Sequence, residues 1–203
     1  LLDLSLLSIG AVTVPIYESD SATQIHHILE DAHVVQVFTA TTQQAELVRS
    51  VAPAFTRSID SFDQGALRTI ARAAKHVSID DVRTRRSSLD SSSIATIIYT
   101  SGTTGVPKGV VLTHANFLAT IGGARQVVGE IIDSPDTRLL LFLPVAHVLA
   151  RLVMHLVLSG AGVLGFSPNI KNLLPDIQSF KPSVLLVVPR VLEKVYNAAS
   201  AKA

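Results

Sequence analysis

Residues Ile94–Leu112 read IATIIYTSGTTGVPKGVVL, and their reading decides the fold. Ile94–Tyr99 is a short, apolar, β-branched run ahead of a cluster of turn residues. It is too short for a helix and carries no polar alternation, which predicts a strand buried on both faces. Lys108–Leu112 predicts a second strand. Between them lies a loop, Thr100–Pro107, rich in Gly, Ser and Thr.

Working outward, helical and strand patterns alternate. Upstream, Leu1–Ile9 predicts a helix that Gly10 ends, and Ala11–Ile16 a short β-branched run. Ser21 caps a helix through Asp31, and Val34–Phe38 is the next strand. Thr41 or Thr42 opens a helix to about Ser50. Arg57–Asp60 reads as a short strand and Gln64–Ala74 as a helix. Arg83–Ser93 is polar and predicts a solvated loop or short helix inside one domain. Downstream, a helix runs from Thr113 or His114 to about Glu130. Arg138–Leu143 is a strand, Val145–Leu158 a helix and Gly162–Phe166 a strand. Asn169 opens a helix to about Phe180, Val184–Val188 is a strand, and Pro189 starts a final helix. Apolar strands alternating with helices predict an α/β fold, a mostly parallel sheet with helices on both faces.

The loop carries the chemistry. A polyphosphate needs donors packed closely around several negative charges. Gly102 and Gly105 let backbone N–H groups approach it. Thr100, Ser101, Thr103 and Thr104 add short hydroxyl donors that can also ligate Mg²⁺. Lys108 adds a compact cation, and Pro107 stiffens the exit. The pattern is not the GxxxxGK[ST] loop, because Pro107 stands at its second glycine and Gly109 follows the lysine. Nor is it GxGxxG. An ordinary polar turn is the competing reading, but such a turn needs no lysine, spaced glycines and run of hydroxyls together.

Ile97–His114, IIYTSGTTGVPKGVVLTH, closely resembles the phosphate-binding loop of the AMP-forming acyl-activating superfamily. The resemblance implies part of the large N-terminal domain of an acyl-CoA synthetase. It implies that Thr100, Ser101, Gly102, Thr103, Thr104, Gly105 and Lys108 hold the ATP phosphates, with Lys108 and Thr104 in catalytic positions and Thr100 near Mg²⁺. Leu140–Arg151, LLFLPVAHVLAR, resembles the family's second motif in its long-chain form, and implies that His147 lines the junction of acyl and adenylate sites. Lys181–Tyr196 and Gly10–Leu29 also resemble the long-chain subgroup. One departure is that Leu149 and Ala150 stand where long-chain members often carry an aromatic and an acidic residue. By resemblance, then, the activity is ATP-dependent conversion of a long-chain fatty acid to acyl-adenylate and then acyl-CoA, with ATP, Mg²⁺ and coenzyme A. Two alternatives stay open: an adenylating enzyme for another acid or a carrier-protein acceptor, and a non-catalytic nucleotide-binding module on the same fold.

Other residues favour structural roles. His147 amid Leu and Val reads from the residues alone as a core histidine; the resemblance moves it to the site. Arg151 and Arg190, flanked by apolar residues, are expected to pair with Asp176 or Glu193. His26 and His27 are adjacent and do not share a helix face, so a metal site there is not expected. His155 reads as core or interface. The helix from Val145 is a candidate tunnel wall and equally a core helix.

Composition narrows the class. Seventeen basic residues against sixteen acidic leave a formal charge of +1, so no bulk field draws the chain to nucleic acid. The absence of cysteine removes disulfides, thiolate zinc sites and cysteine nucleophiles, and fits a cytoplasmic location. Mean hydropathy is +0.42, yet the most apolar stretch, Leu139–Gly165, is broken by Arg151, two histidines and Pro144, unlike a membrane span. Peripheral membrane contact and a homodimer stay open. Both ends fall inside predicted elements, so an internal stretch of a longer protein is expected, without the adenine and ribose motifs and mobile C-terminal domain that the resemblance implies downstream.

Overall fold

The computed structural model describes residues 1–100 and 106–187. They divide into two compact units, Leu1–Ala119 and Thr120–Ala203.

In the first unit, α1 (Leu2–Ser8) is followed by Gly10, whose φ of +76° is a left-handed conformation suited to glycine. The β-branched run that follows forms no full strand. It makes a single parallel bridge, Thr13 to Thr96, because only Thr13 reaches the edge of the next apolar strand. Helix α2 (Ala22–Asp31) starts at Ser21 with a capping box: the Gln24 N–H donates to Ser21 Oγ at 3.3 Å and the Ser21 N–H to Gln24 Oε1 at 2.9 Å. Ile25, Ile28 and Leu29 sit three and four residues apart and are all buried, as one face of a helix requires. Strand β1 (Gln36–Thr39) leads into α3 (Thr42–Val51), which has its own capping box from Thr41 and Gln44. Strand β2 (Ser58–Ser61) returns parallel to β1, closing a βαβ unit. Ile25, Leu29 and Val48 form its core, with Val34, Val37 and Ile59 packed around them. The Asp63 carboxylate ties the start of α3 to the end of β2, accepting from Thr42 N at 2.8 Å, from Thr42 Oγ1 at 3.0 Å and from the Ser61 hydroxyl. These hydrogen bonds, the Ser61 one foremost, hold the carboxyl below its ordinary pKa.

Helix α4 (Ala66–Ala73), a 3₁₀ turn (Ala74–His76) and α5 (Ile79–Ser87) follow. The polar stretch Arg83–Ser93 is thus helical to Ser87 and a mostly exposed turn region after it. Strand β3 (Ile94–Thr100) then pairs antiparallel with β4 (Lys108–Thr113). Helix α6 (His114–Asp133) starts where β4 ends.

Among the described residues the second unit holds a three-stranded parallel sheet. Strand β5 (Arg138–Leu141) lies between β6 (Val163–Phe166) and β7 (Val184–Leu185). Helix α7 (Val148–Leu158) and α8 (Leu173–Phe180) supply the crossovers. Alternate residues of β5 face opposite layers. Leu139 and Leu141 pack with Ile132 of α6 and Ala150, Met154 and Val157 of α7. Leu140 packs with Leu173, Ile177 and Phe180 of α8. Helices therefore cover both faces of this sheet, the arrangement that a central strand of unbroken leucines demands. A 3₁₀ turn (Ile170–Asn172) intervenes before α8, so Asn172 and not Asn169 stands at its N-cap. The expected strand end at Val188 and the final helix from Pro189 lie outside the described residues, as does Arg190.

Candidate functional site

The predicted phosphate loop hangs from the β3–β4 hairpin in the first unit. Thr100 and Lys108 are the last register pair before it, so their side chains share one face of the ribbon. Both residues are exposed. Among the described residues no carboxylate lies within ion-pair distance of the Lys108 ammonium. An exposed cation beside an exposed hydroxyl, at the carboxyl end of a buried strand, suits an anionic ligand. Ser101, Gly102, Thr103, Thr104 and Gly105 lie outside the described residues, so their assignment stays an expectation.

The stems of the loop are held from α2. On the entry side Tyr99 is buried, at 7 % exposure, and its hydroxyl donates to Asp31 Oδ2 at 2.5 Å. Burial, and then Asp31, push the Tyr99 hydroxyl well above its ordinary pKa, so it stays a donor. On the exit side His27 Nε2 donates to the Pro107 carbonyl at 2.9 Å. The His27 ring meets the Tyr99 ring edge-on, with centroids 6.1 Å apart. Gly109 makes room for this arrangement: a Cβ there would lie 2.9 Å from Ile97 Cγ2 and 3.0 Å from Tyr99 Cζ. The glycine that follows Lys108 is thus required by the tyrosine across the ribbon.

None of these three holding residues stood out as functional in the sequence. The signal was there for Asp31. A carboxylate on the last residue of a helix opposes the macrodipole, and no basic residue stands in that last turn. His26 and His27 diverge as their spacing requires. His26 Nδ1 reaches the Val51 carbonyl at 2.7 Å and its Nε2 reaches Glu30 at 2.9 Å.

His147 belongs to the second unit, beyond the carboxyl end of β5. It is exposed, not a core residue, and caps α7: its Nδ1 accepts the Leu149 N–H at 3.2 Å. Nδ1 is thereby the acceptor nitrogen, which leaves Nε2 as the ring's donor for a ligand. Arg151, one turn further along α7, is 2 % exposed. Its expected partner Asp176 accepts the Ser167 hydroxyl at 2.5 Å, and Glu193 lies outside the described residues. His155 is half-buried and bonds back to the Arg151 carbonyl at 2.8 Å. Among the described residues no group of three His, Cys, Asp or Glu side chains could hold a metal. No helix among them is long and apolar enough to cross a membrane.

The family model for AMP-binding enzymes matches residues 1–203. A long-chain-fatty-acid–CoA ligase of Mycobacterium bovis is 42% identical over 208 residues, covering 100% of this chain and 34% of that protein. Long chain acyl-CoA synthetase 3 of Arabidopsis thaliana is 31% identical, over 95% of this chain and 31% of that protein. The chain thus spans about a third of the length of these relatives. Among solved structures, ATP-bound MatB from Rhodopseudomonas palustris superposes with a TM-score of 0.70 at 20% identity, covering 95% of this chain and 37% of that one. A protein from the same organism described as a putative long-chain-fatty-acid CoA ligase gives 0.71 at 16% identity, over 97% of this chain and 49% of that one. At those identities the structures speak for the fold alone. A glycine- and hydroxyl-rich loop sequence after a buried strand, an exposed lysine at its exit and a family match along the whole length lead to one conclusion: the chain belongs to the AMP-binding enzyme family.

Proposed function

We propose that this chain is part of the N-terminal domain of an ATP-dependent long-chain fatty acid–CoA ligase, an acid–thiol ligase of longer sequence. The observation that carries the reading is the Thr100–Lys108 pair at the mouth of the hairpin, exposed and without a carboxylate partner among the described residues. Similarity to long-chain ligases over the whole chain supports the substrate class.

In the proposed reaction a carboxylate oxygen of the fatty acid attacks the α-phosphorus of ATP. The P–O bond to the β-phosphate breaks, giving acyl-adenylate and pyrophosphate. The thiol of coenzyme A then adds to the acyl carbon, loses its proton, and expels AMP to leave a thioester. The carboxylate is already ionised at neutral pH, so the first half needs no base. It needs two anions held together in line, and the protein must offset their repulsion. Lys108 supplies positive charge to the phosphates. Thr100, Ser101, Thr103 and Thr104 donate hydroxyl hydrogen bonds, and Gly102 and Gly105 present backbone N–H groups. His147 donates through Nε2 where the acyl and adenylate sites join.

A divalent cation fits this set in one way. The Thr100 hydroxyl can give one neutral oxygen ligand, and with no carboxylate cluster among the described residues the phosphates and water would supply the others, as is common for Mg²⁺. Bound there, Mg²⁺ would neutralise phosphate charge.

The test is Lys108→Ala in the full-length enzyme, followed by ATP–pyrophosphate exchange with a saturated long-chain acid. Exchange should fall about 100- to 1,000-fold, the range for losing one preorganised charge-stabilising donor. An unchanged rate refutes the loop assignment. Varying the acid in the same assay separates this reading from one with another acid, and varying the thiol in an assay of thioester formation separates it from one with a carrier-protein acceptor.

A further inference from the structure

We propose that His27 and Asp31, one turn apart on α2, are positioning residues for the phosphate loop, fixing its two stems through the Pro107 carbonyl and the Tyr99 hydroxyl. The inference rests on the reading of that loop as an ATP-phosphate cradle.

Residues four apart on a helix lie on one face, so His27 and Asp31 act in the same direction. Each touches the loop stem at the residue immediately before a proposed ligand. Asp31 holds Tyr99, which precedes Thr100, and His27 holds Pro107, which precedes Lys108. A residue's neighbour sets where its Cα and Cβ stand, so these two bonds set the spacing of the hydroxyl and the ammonium. The α2 end of the device is itself anchored. Ile28 and Leu29, between the two holding residues, are 2 % and 0 % exposed, and α2 is capped at Ser21. The hairpin end is anchored through Tyr99, whose ring covers Gly109. A rigid helix is thus coupled to both ends of a loop whose glycines would otherwise leave it many conformations.

Chemistry argues against an incidental contact. Asp31 stands at the negative end of its helix dipole, a position that disfavours a carboxylate. The Tyr99 hydroxyl offsets that cost through a short bond to the charged oxygen. Tyr99 carries a buried polar tip beside the isoleucines of its strand, and Asp31 is its acceptor. A phenylalanine would fill the same space, so the hydroxyl has a purpose beyond packing.

The test uses the full-length enzyme with Tyr99→Phe, His27→Leu and His27→Gln, and Lys108→Ala in parallel. ATP–pyrophosphate exchange is measured while ATP and a saturated long-chain acid are varied separately. A glutamine amide can still donate to the Pro107 carbonyl; leucine cannot. Tyr99→Phe and His27→Leu should each raise the apparent KM for ATP about tenfold, the equivalent of one net hydrogen bond. The KM for the acid should stay within about twofold, and His27→Gln should recover most of the ATP affinity. A merely structural role would lower the folded fraction, hence kcat, and leave the KM for ATP unmoved. The proposal is overturned if the KM for ATP does not rise, if the KM for the acid rises equally, or if glutamine behaves as leucine. If those variants are silent while Lys108→Ala abolishes exchange, the positioning idea alone falls. If Lys108→Ala is silent too, the phosphate-loop reading falls and takes this proposal with it.

Discussion

Gly165→Ala is a sharp test of how the second unit is packed. Gly165 lies in β6, paired with Leu140 of β5. A Cβ added there would stand 2.7 Å from Phe180 Cε2 and 2.8 Å from Cζ. Carbon atoms do not approach so closely, so the ring or the strand must shift. The ring is not free to swing. The Arg138 guanidinium lies 4.3 Å from its centroid, and Arg138 Nε and Nη2 donate to the Phe180 carbonyl at 2.9 and 2.7 Å. Overpacking of this kind costs about 1–3 kcal/mol. Alanine recovers about 0.5–1 kcal/mol over glycine in a strand. The net expectation is a loss of about 0–2.5 kcal/mol, with overpacking winning. Phe180→Leu removes the two clashing ring atoms. In that background Gly165→Ala should become stabilising by about 0.5–1 kcal/mol, so the cycle shows a coupling of about 1–3 kcal/mol with a change of sign. Urea unfolding of the four proteins, followed by far-ultraviolet circular dichroism, measures it. Equal effects of Gly165→Ala in both backgrounds would refute the packing argument.

Three further expectations follow from other parts of the chain. The Asp63 carboxyl has its pKa lowered by hydrogen bonds from Ser61 and Thr42, so its contribution to stability is present above the unfolded aspartate pKa and is lost as pH falls through the lower folded value. Carbon-detected NMR should place its midpoint below that of an ordinary aspartate, and Asp63→Asn should remove its share of the acid-side slope; a normal midpoint contradicts the hydrogen-bond set. Ser21→Ala and Thr41→Ala each remove the side-chain oxygen of a capping box and should each cost about 1 kcal/mol in the same unfolding assay; a change near zero would show that the caps are not formed in solution. The 203-residue chain alone, about a third of the length of its relatives, should not catalyse ATP–pyrophosphate exchange, and robust exchange by the purified chain would show that it holds a complete site.

Much of the architecture was legible in the residues because the signals are local. Ser21 with Gln24, and Thr41 with Gln44, announce helix starts by chemistry that spans one turn. Leu139–Leu141 announces a strand covered on both faces because three adjacent leucines cannot all face one way from a pleated chain. The lysine, glycines and hydroxyls of the loop are recognisable together because a polyanion demands them close in sequence. Where the reading slipped, a distant partner decided. Ala11–Ile16 has strand composition, but only Thr13 finds an edge to pair with. His147 has the surroundings of a core histidine, but its place at the end of a loop exposes it and makes it a cap.

By itself, then, the sequence determined the class of fold, most of the order of its elements and the loop proposed to meet the nucleotide, since each follows from neighbours within a few residues. The tertiary structure alone decided that His27 meets the Pro107 carbonyl and Asp31 the Tyr99 hydroxyl, and that Gly109 is needed beneath Tyr99. Those contacts join residues nearly seventy or more apart in the chain or across a hairpin, and no local pattern of charge or hydropathy encodes which side chains a folded backbone will bring within 3 Å of one another.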